Sequence, residues 1–413
     1  MKNRLLTCTI CIGLLIACAR KSVSAAPTSG SAPDPAAATK LVAANNEFGL
    51  NLFRELFAAK PQDNIFISPT SIALALGMTW NGALGQTRQA MADVMRISGL
   101  TVDDLSTAGA ALLSALQSAD PKVKLEVANS LWVRLGFKLA KSFVDRNRQF
   151  FSADVTSLDF ADPKSVSRIN GWVAQKTHDK IKSIITELSP EEVLLLVNAV
   201  YFKGTWTREF DKKLTREREF YLTNDVQKRH PMMSQEDDFR YYEGEGMQMV
   251  RLPYGNGRLG MLVFLPEQDR GFQDFVAGFS AANVSRWLDS LRYEEGEVVL
   301  PKFKLEYDKS LSSTLKAMGM AVAFGPEADF NGMLDKRSLV PFYISDVLHK
   351  TFVEVNEEGT EAAAVTAVKM VATAMPGEVR RFSMVCNRPF VYAIHDEKTG
   401  SILFIGALLE PKL

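Results

Sequence analysis

From Glu192 onward the chain carries one apolar, β-branched run after another, and this pattern most narrows the folds open to it. The runs are EVLLLVNAVYFKG (Glu192 to Gly204), LGMLVFLP (Leu259 to Pro266), VVLPKFKLEY (Val298 to Tyr307), RPFVYAIHD (Arg388 to Asp396) and SILFIGALLEP (Ser401 to Pro411). Runs of this length and composition are strands of a sheet core. KLEVANSLWV (Lys124 to Val133) is an earlier member of the set, and NIFI (Asn64 to Ile67) a short one. The first third reads differently. AANNEFGLNLFREL (Ala43 to Leu56) has apolar residues at Phe48, Leu50, Leu52, Phe53 and Leu56, a helical pattern. SPTSIALALGMTW (Ser68 to Trp80) opens on a Ser before Pro, a helix-start signal, and is then apolar almost throughout, as a buried helix is. Helices early and strands late predict an α+β fold with large, mainly antiparallel sheets. From Lys40 to Leu413 no Pro/Ser/Gly-rich linker and no repeat interrupts the chain, so residues 40–413 are expected to form one domain.

Composition removes several classes of function. Lys+Arg and Asp+Glu both number 48, so no basic excess points to nucleic acid. Of four cysteines, three fall in the first 18 residues, leaving Cys386 alone in the body. A disulfide framework or thiolate metal site is thereby excluded there, and Cys386 reads as a buried structural thiol. His178, His230, His349 and His395 stand far apart without metal-ligand spacing. No G-x-S-x-G is present. Gly255, Gly257 and Gly260 match G-x-G-x-x-G, but a strand follows where a dinucleotide site needs a helix, and Asn256-Gly257 is a preferred hairpin turn pair. An enzyme would need a triad scattered through the sequence. The expectation is a protein that is not an enzyme and uses no cofactor or metal.

The N-terminus reads as an address. Lys2 and Arg4 precede a 13-residue apolar run, Leu5 to Ala17, too short to span about 30 Å of hydrocarbon but suited to a signal peptide. The run ends in LIAC, Leu15 to Cys18, which resembles the lipobox of bacterial lipoproteins. That likeness implies cleavage of residues 1–17, lipidation of Cys18, and, with Ala19 rather than Asp next, the outer membrane or cell surface. The alternative is ordinary export with cleavage near VSAA, Val23 to Ala26, giving a secreted or periplasmic protein. Residues 18–39, rich in Ala, Ser, Pro and Gly, read as a flexible tether.

Residues Glu357 to Arg381, EEGTEAAAVTAVKMVATAMPGEVRR, form a long stretch of small and β-branched residues without a core signature. Long loops of this kind are usually functional. Taken as a strand, one face holds Thr360, Ala362, Ala364, Thr366, Val368, Met370 and Ala372, none charged. Glu361 and Lys369 both fall on the other face. A segment able to be both exposed loop and half-buried strand is a candidate switch, with an ordinary loop or permanent strand as the plainer reading.

The chain resembles the serpins across the whole body, from about Ala43 to Pro411. The likeness is carried by NIFISPTSIALALGMTWNGALGQT (Asn64 to Thr87), INGWVAQKT (Ile169 to Thr177), VNAVYFKGTW (Val197 to Trp206) and LPYGNG (Leu252 to Gly257). LPKF (Leu300 to Phe303), AMGMAVAF with ADFNGM (Ala317 to Met333), VLHKTFVEVNEEGTEAAA (Val347 to Ala364) and RPFVYAI complete it. Thr351 stands where Ala is common after the HK pair, and Lys180 follows Asp179 where Gly before Lys is usual. The loop beyond the expected cleavage site is longer than in many members.

The resemblance implies a serpin fold with an exposed reactive-centre loop. It also implies a suicide-substrate inhibitor, which acts as a monomer on serine proteases and in some cases papain-like cysteine proteases. A protease cuts the loop and is held as an acyl-enzyme while the freed loop inserts into the central sheet. By the family's spacing the hinge is Glu357, Glu358, Gly359, Thr360, Glu361, Ala362, Ala363 and Ala364. The scissile bond falls at Thr373-Ala374, suiting elastase-like and subtilisin-like enzymes. Lys369-Met370 is a secondary candidate for trypsin-like ones. Ser68, Ser71, Asn198 and His349 match the polar cluster beneath the centre of the sheet, the shutter. Trp206, Lys302 and Glu357 match the top of the sheet, the breach. The competing class is a non-inhibitory serpin acting as carrier, chaperone or adhesin, against which the alanine-rich hinge argues.

Overall fold

The apolar pattern of residues 68–80 becomes a helix sealed on every side: all twelve residues of Pro69–Trp80 are buried. Around it the computed structural model describes residues 34–223, 226–360 and 381–413. In chain order these form α1 (Pro35–Ala59), β1 (Ile65–Ile67), α2 (Pro69–Trp80), α3 (Gly85–Val94), α4 (Val102–Gln117), β2 (Val123–Arg134), α5 (Lys141–Phe151), β3 (Asp154–Leu158) and α6 (Lys164–Lys176). Then come β4 (Leu194–Thr205), β5 (Arg216–Tyr221), β6 (Gln227–Gly244), β7 (Met247–Pro253), β8 (Leu259–Pro266), α7 (Phe272–Ala277), α8 (Ala281–Ser290), β9 (Arg292–Pro301) and β10 (Phe303–Ser310). The last elements are α9 (Ser312–Leu315), β11 (Ile344–Asn356), β12 (Gly359–Thr360), β13 (Phe382–Val385), β14 (Phe390–Asp396) and β15 (Ile402–Leu408).

The body begins before Lys40, which corrects the expected tether boundary. Asp34 accepts a hydrogen bond from the Ala36 N–H and Pro35 takes the first helical position, so α1 starts inside the Ala/Pro-rich stretch and buries Ala37.

Two sheets follow, giving the α+β architecture the strand runs imply. One has the order β10-β11-β12-β4-β2-β3; the other runs β1-β15-β14-β8-β7-β6-β9-β13, with β5 on β6. Behind the first sheet, apolar residues of α1, α2 and α4 form the main core with β2, β4 and β11. A second apolar cluster joins Val200, Phe202, Val353 and Val355 of the first sheet to Met261, Tyr392 and Phe404 of the second. In front, Ile169 and Val173 of α6, with Ile181 and Ile184 beyond it, cover Val197, Ala199 and Tyr201 of β4 and Leu348 and Phe352 of β11. The Asn170 side chain ties that cover together, accepting from the Ile184 and Ile185 N–H groups and donating to the Ile185 carbonyl.

Gly255 and Gly257 adopt positive φ in the turn between β7 and β8, so the glycine motif is a hairpin. The Gly257 N–H bonds the Tyr254 carbonyl, which centres the turn on Gly255-Asn256, one residue before the expected pair.

Candidate functional site

β4 and β11 are parallel neighbours, paired from Leu194–Ile344 to Tyr201–Phe352 with one irregularity at Ser345. Above Tyr201 and Phe352 the ladder stops. There β12 enters between the strands, antiparallel to both: Thr360 pairs with Val355 and Gly204, and Gly359 with Asn356 and Thr205. Gly359 and Thr360, near the start of the candidate switch segment, thus already occupy an opening in the sheet. Gly359 is required by close approach. Its φ is +151°, and a Cβ there would lie 2.1 Å from the Gly204 carbonyl oxygen.

The strand is delivered by a tightly held turn. Asn356 Oδ1 accepts from the N–H groups of Glu358 (3.0 Å) and Gly359 (3.2 Å). The Trp206 indole N–H donates to the Asn356 carbonyl (3.0 Å), its backbone N–H to the Glu358 carbonyl, and the Phe210 N–H to the Glu357 carbonyl. The buried Glu357 carboxylate accepts from Lys302 Nζ (2.9 Å) and Thr215 Oγ1 (2.8 Å). Burial alone would raise its pKa, but the bonds from Lys302 and Thr215 prevail and hold it below the usual carboxylate range. Glu358 is ion-paired with Lys212. Thr360 is fully buried, and its hydroxyl meets the Tyr254 hydroxyl at 2.8 Å.

Lower on the same seam, His349 of β11 and Asn198 of β4 are register partners, and Asn129 of β2 faces Asn198 in turn. His349 Nδ1 donates to Asn198 Oδ1 (2.6 Å), and its Nε2 accepts from the Ser68 N–H (3.2 Å), so the ring is neutral. Its pKa is pushed down to about 3 by burial. The Asn198 amide donates to Ser71 Oγ (2.5 Å) and Asn129 Oδ1 (2.6 Å). Ser68 stands before α2 as expected, but its hydroxyl donates to the Leu403 carbonyl instead of capping the helix. Thr351 also has a use: its hydroxyl bonds the Phe66 carbonyl and ties β11 to β1.

The structure therefore brings Ser68, Ser71, Asn198 and His349 together, and separately Trp206, Lys302, Glu357, Glu358, Gly359 and Thr360. Glu361 to Ala364, Lys369, Met370, Thr373, Ala374 and Cys18 lie outside the described residues. Sequence reasoning missed Asn129, Lys212, Thr215, Tyr254 and Asn356. An Asn inside the apolar run KLEVANSLWV was the one available signal. Cys386 is fully buried and its thiol is pushed up to about 12 by burial, an inert thiol.

The family model for serpins, serine protease inhibitors, matches residues 43–411. This chain belongs to the serpin family. An uncharacterised serpin-like protein of Thermococcus kodakarensis is 37% identical over 377 residues, covering 90% of this chain and 86% of that one. Among solved structures, the thermophilic serpin tengpin in its native state superposes with a TM-score of 0.83 at 31% identity, covering 94% of this chain and 97% of that one. Human thyroxine-binding globulin, solved in complex with thyroxine, gives 0.82 at 25% identity, covering 91% of this chain and 100% of that one.

Proposed function

We propose that this serpin is an inhibitor that traps serine proteases as acyl-enzymes by inserting its cleaved loop between β4 and β11. The observation that carries this reading is β12, already seated between two parallel strands and antiparallel to both. Extending its register down the seam supports the same reading. Ala363 would come between Phe352 and Tyr201, and Ala367 between Leu348 and Val197, so small residues would fall where the seam is flanked by large ones beneath α6. Glu361 would come beside Lys203, and Lys369 beside Asp346. Thr366 would arrive between His349 and Asn198, where its hydroxyl replaces the bond that the incoming strand must break. Insertion exchanges one parallel ladder for two antiparallel ones, a net gain in hydrogen bonds of better geometry.

The reactive bond in this reading is Thr373-Ala374, answering elastase-like and subtilisin-like enzymes, with Lys369-Met370 a poorer trypsin site. Lipidation at Cys18 would hold the inhibitor at the outer membrane or cell surface, where extracellular proteases meet it. A carrier role, as thyroxine-binding globulin's name describes for that protein, is the second reading. Incubation with subtilisin and with pancreatic elastase separates the two. An SDS-stable complex of serpin plus protease mass is expected; loop cleavage without such a complex refutes inhibition.

A further inference from the structure

We propose that Tyr254 is a positioning residue that latches the hinge in its partly inserted state through Thr360. It thereby sets the balance between how fast a protease engages the loop and how surely the loop then inserts. The inference rests on the inhibitory reading above and concerns the step before cleavage.

The Tyr254 ring has one available place. It stacks on Trp206 with centroids 4.4 Å apart and planes 9° apart, and meets Phe202 edge-on at 5.3 Å. Its backbone is tied to the end of β4. The Thr207 N–H bonds the Pro253 carbonyl, the Gly255 N–H bonds the Thr205 carbonyl, and Thr207 Oγ1 donates to the Gly255 carbonyl. The buried Asp120 carboxylate accepts from the Asn256 N–H at the turn and sits against Gly255, where no Cβ could fit. These ties aim the Tyr254 hydroxyl at one point, the side chain of Thr360.

Tyr254 is fully buried among apolar rings, and burial drives its pKa well above the usual phenol range, so it stays a neutral hydroxyl. A buried hydroxyl without a partner is costly, and with the hinge seated the Thr360 hydroxyl is that partner. The hinge thus has two positions, seated and released, and this pair of hydroxyls favours the seated one by about tenfold. Release would free two more residues at the start of the segment that follows, roughly 7 Å of added reach. A protease would then engage more readily. Insertion would have to begin from the rim of the sheet, and more cleaved loops would be lost to turnover.

A double-mutant cycle tests the latch in the full-length protein, with Tyr254→Phe, Thr360→Val and the pair. Each single change leaves one hydroxyl buried alone and keeps the shape. Amide exchange in the 353–360 peptide is expected to quicken about tenfold, with an altered Trp206 emission, faster association with subtilisin and a higher stoichiometry of inhibition. Removing both hydroxyls removes the same latch only once, so the double variant is expected to match Thr360→Val, about tenfold from wild type, rather than show the product of the two single effects. Unchanged exchange in Tyr254→Phe, or additive effects in the double variant, overturns the latch. Urea midpoints confirm that each variant is folded. If the wild-type protein forms no complex with subtilisin or elastase, the inhibitory reading fails, while exchange and emission still decide the latch.

Discussion

If this serpin is an inhibitor as proposed, replacing Thr360 by arginine should convert it into a substrate. Thr360 is fully buried in the resting protein, and its register partners Val355 and Gly204 and its hydrogen-bond partner Tyr254 carry no charge. A guanidinium there must be buried without a counter-ion or keep the hinge out of the sheet. Leaving a buried charge unpaired costs about 3–5 kcal/mol. If that cost falls on the first step of insertion, the step slows by roughly two to four orders of magnitude. Deacylation, which competes with insertion, is untouched. The assay is a titration of subtilisin with the variant, read by SDS gel and by the mass of the released C-terminal peptide. The loop should be cut at the wild-type bond, with free protease recovered and a stoichiometry rising from about one to well above ten on that rate ratio. Thr360→Ser, which keeps the hydroxyl, should remain an inhibitor. A stable complex at wild-type stoichiometry from Thr360→Arg would refute the argument that insertion starts at β12.

His349 makes stability fall with acid. Its pKa is about 6.5 in an unfolded chain and about 3 here, so the unfolded state binds the extra proton between those values. Stability from this residue is complete above pH 6.5 and declines by up to about 1.4 kcal/mol per unit as pH drops towards 3. Urea midpoints from pH 7 to 4 should show it, with a shallower slope in His349→Gln. Thr373→Arg should shift preference towards trypsin, and Lys369→Ala should leave elastase inhibition intact; peptide masses placing the elastase cut beyond Met375 would mean the register counted from Gly359 is wrong. Cys18→Ser should release the protein from membranes, and unchanged fractionation would contradict lipidation.

The sheets were legible because residues such as Val197 to Phe202 and Met261 to Leu265 are buried on both faces and so read as continuous apolar runs. β6 was not, since Lys228, Arg229 and Glu236 to Asp238 give it a polar surface and Pro231 interrupts its pattern. The start of α1 was hidden because a cap depends on one bond at Asp34, whereas composition averages over its neighbours. Gly359 and the alanines mark the proposed hinge in the sequence, but nothing there marks the contact of Thr360 with Tyr254. Tyr254 lies 106 residues from Thr360 in sequence, and nothing local distinguishes a tyrosine that packs from one that also holds a strand.

The cover formed by α6 and the segment after it gives the molecule a clock. A strand cannot pass between β4 and β11 while Ile169, Val173, Ile181 and Ile184 lie across Val197, Tyr201, Leu348 and Phe352. On the proposed inhibitory reading, the cover would have to lift for every successful trap, and an uncut molecule whose cover lifts by chance would spend its one insertion without a protease. The working life of this serpin would then be a rate, set by how often a few isoleucines and the Asn170 bonds let go. Warming would shorten that life steeply, because such opening rates rise several-fold with every increase of about 10 °C.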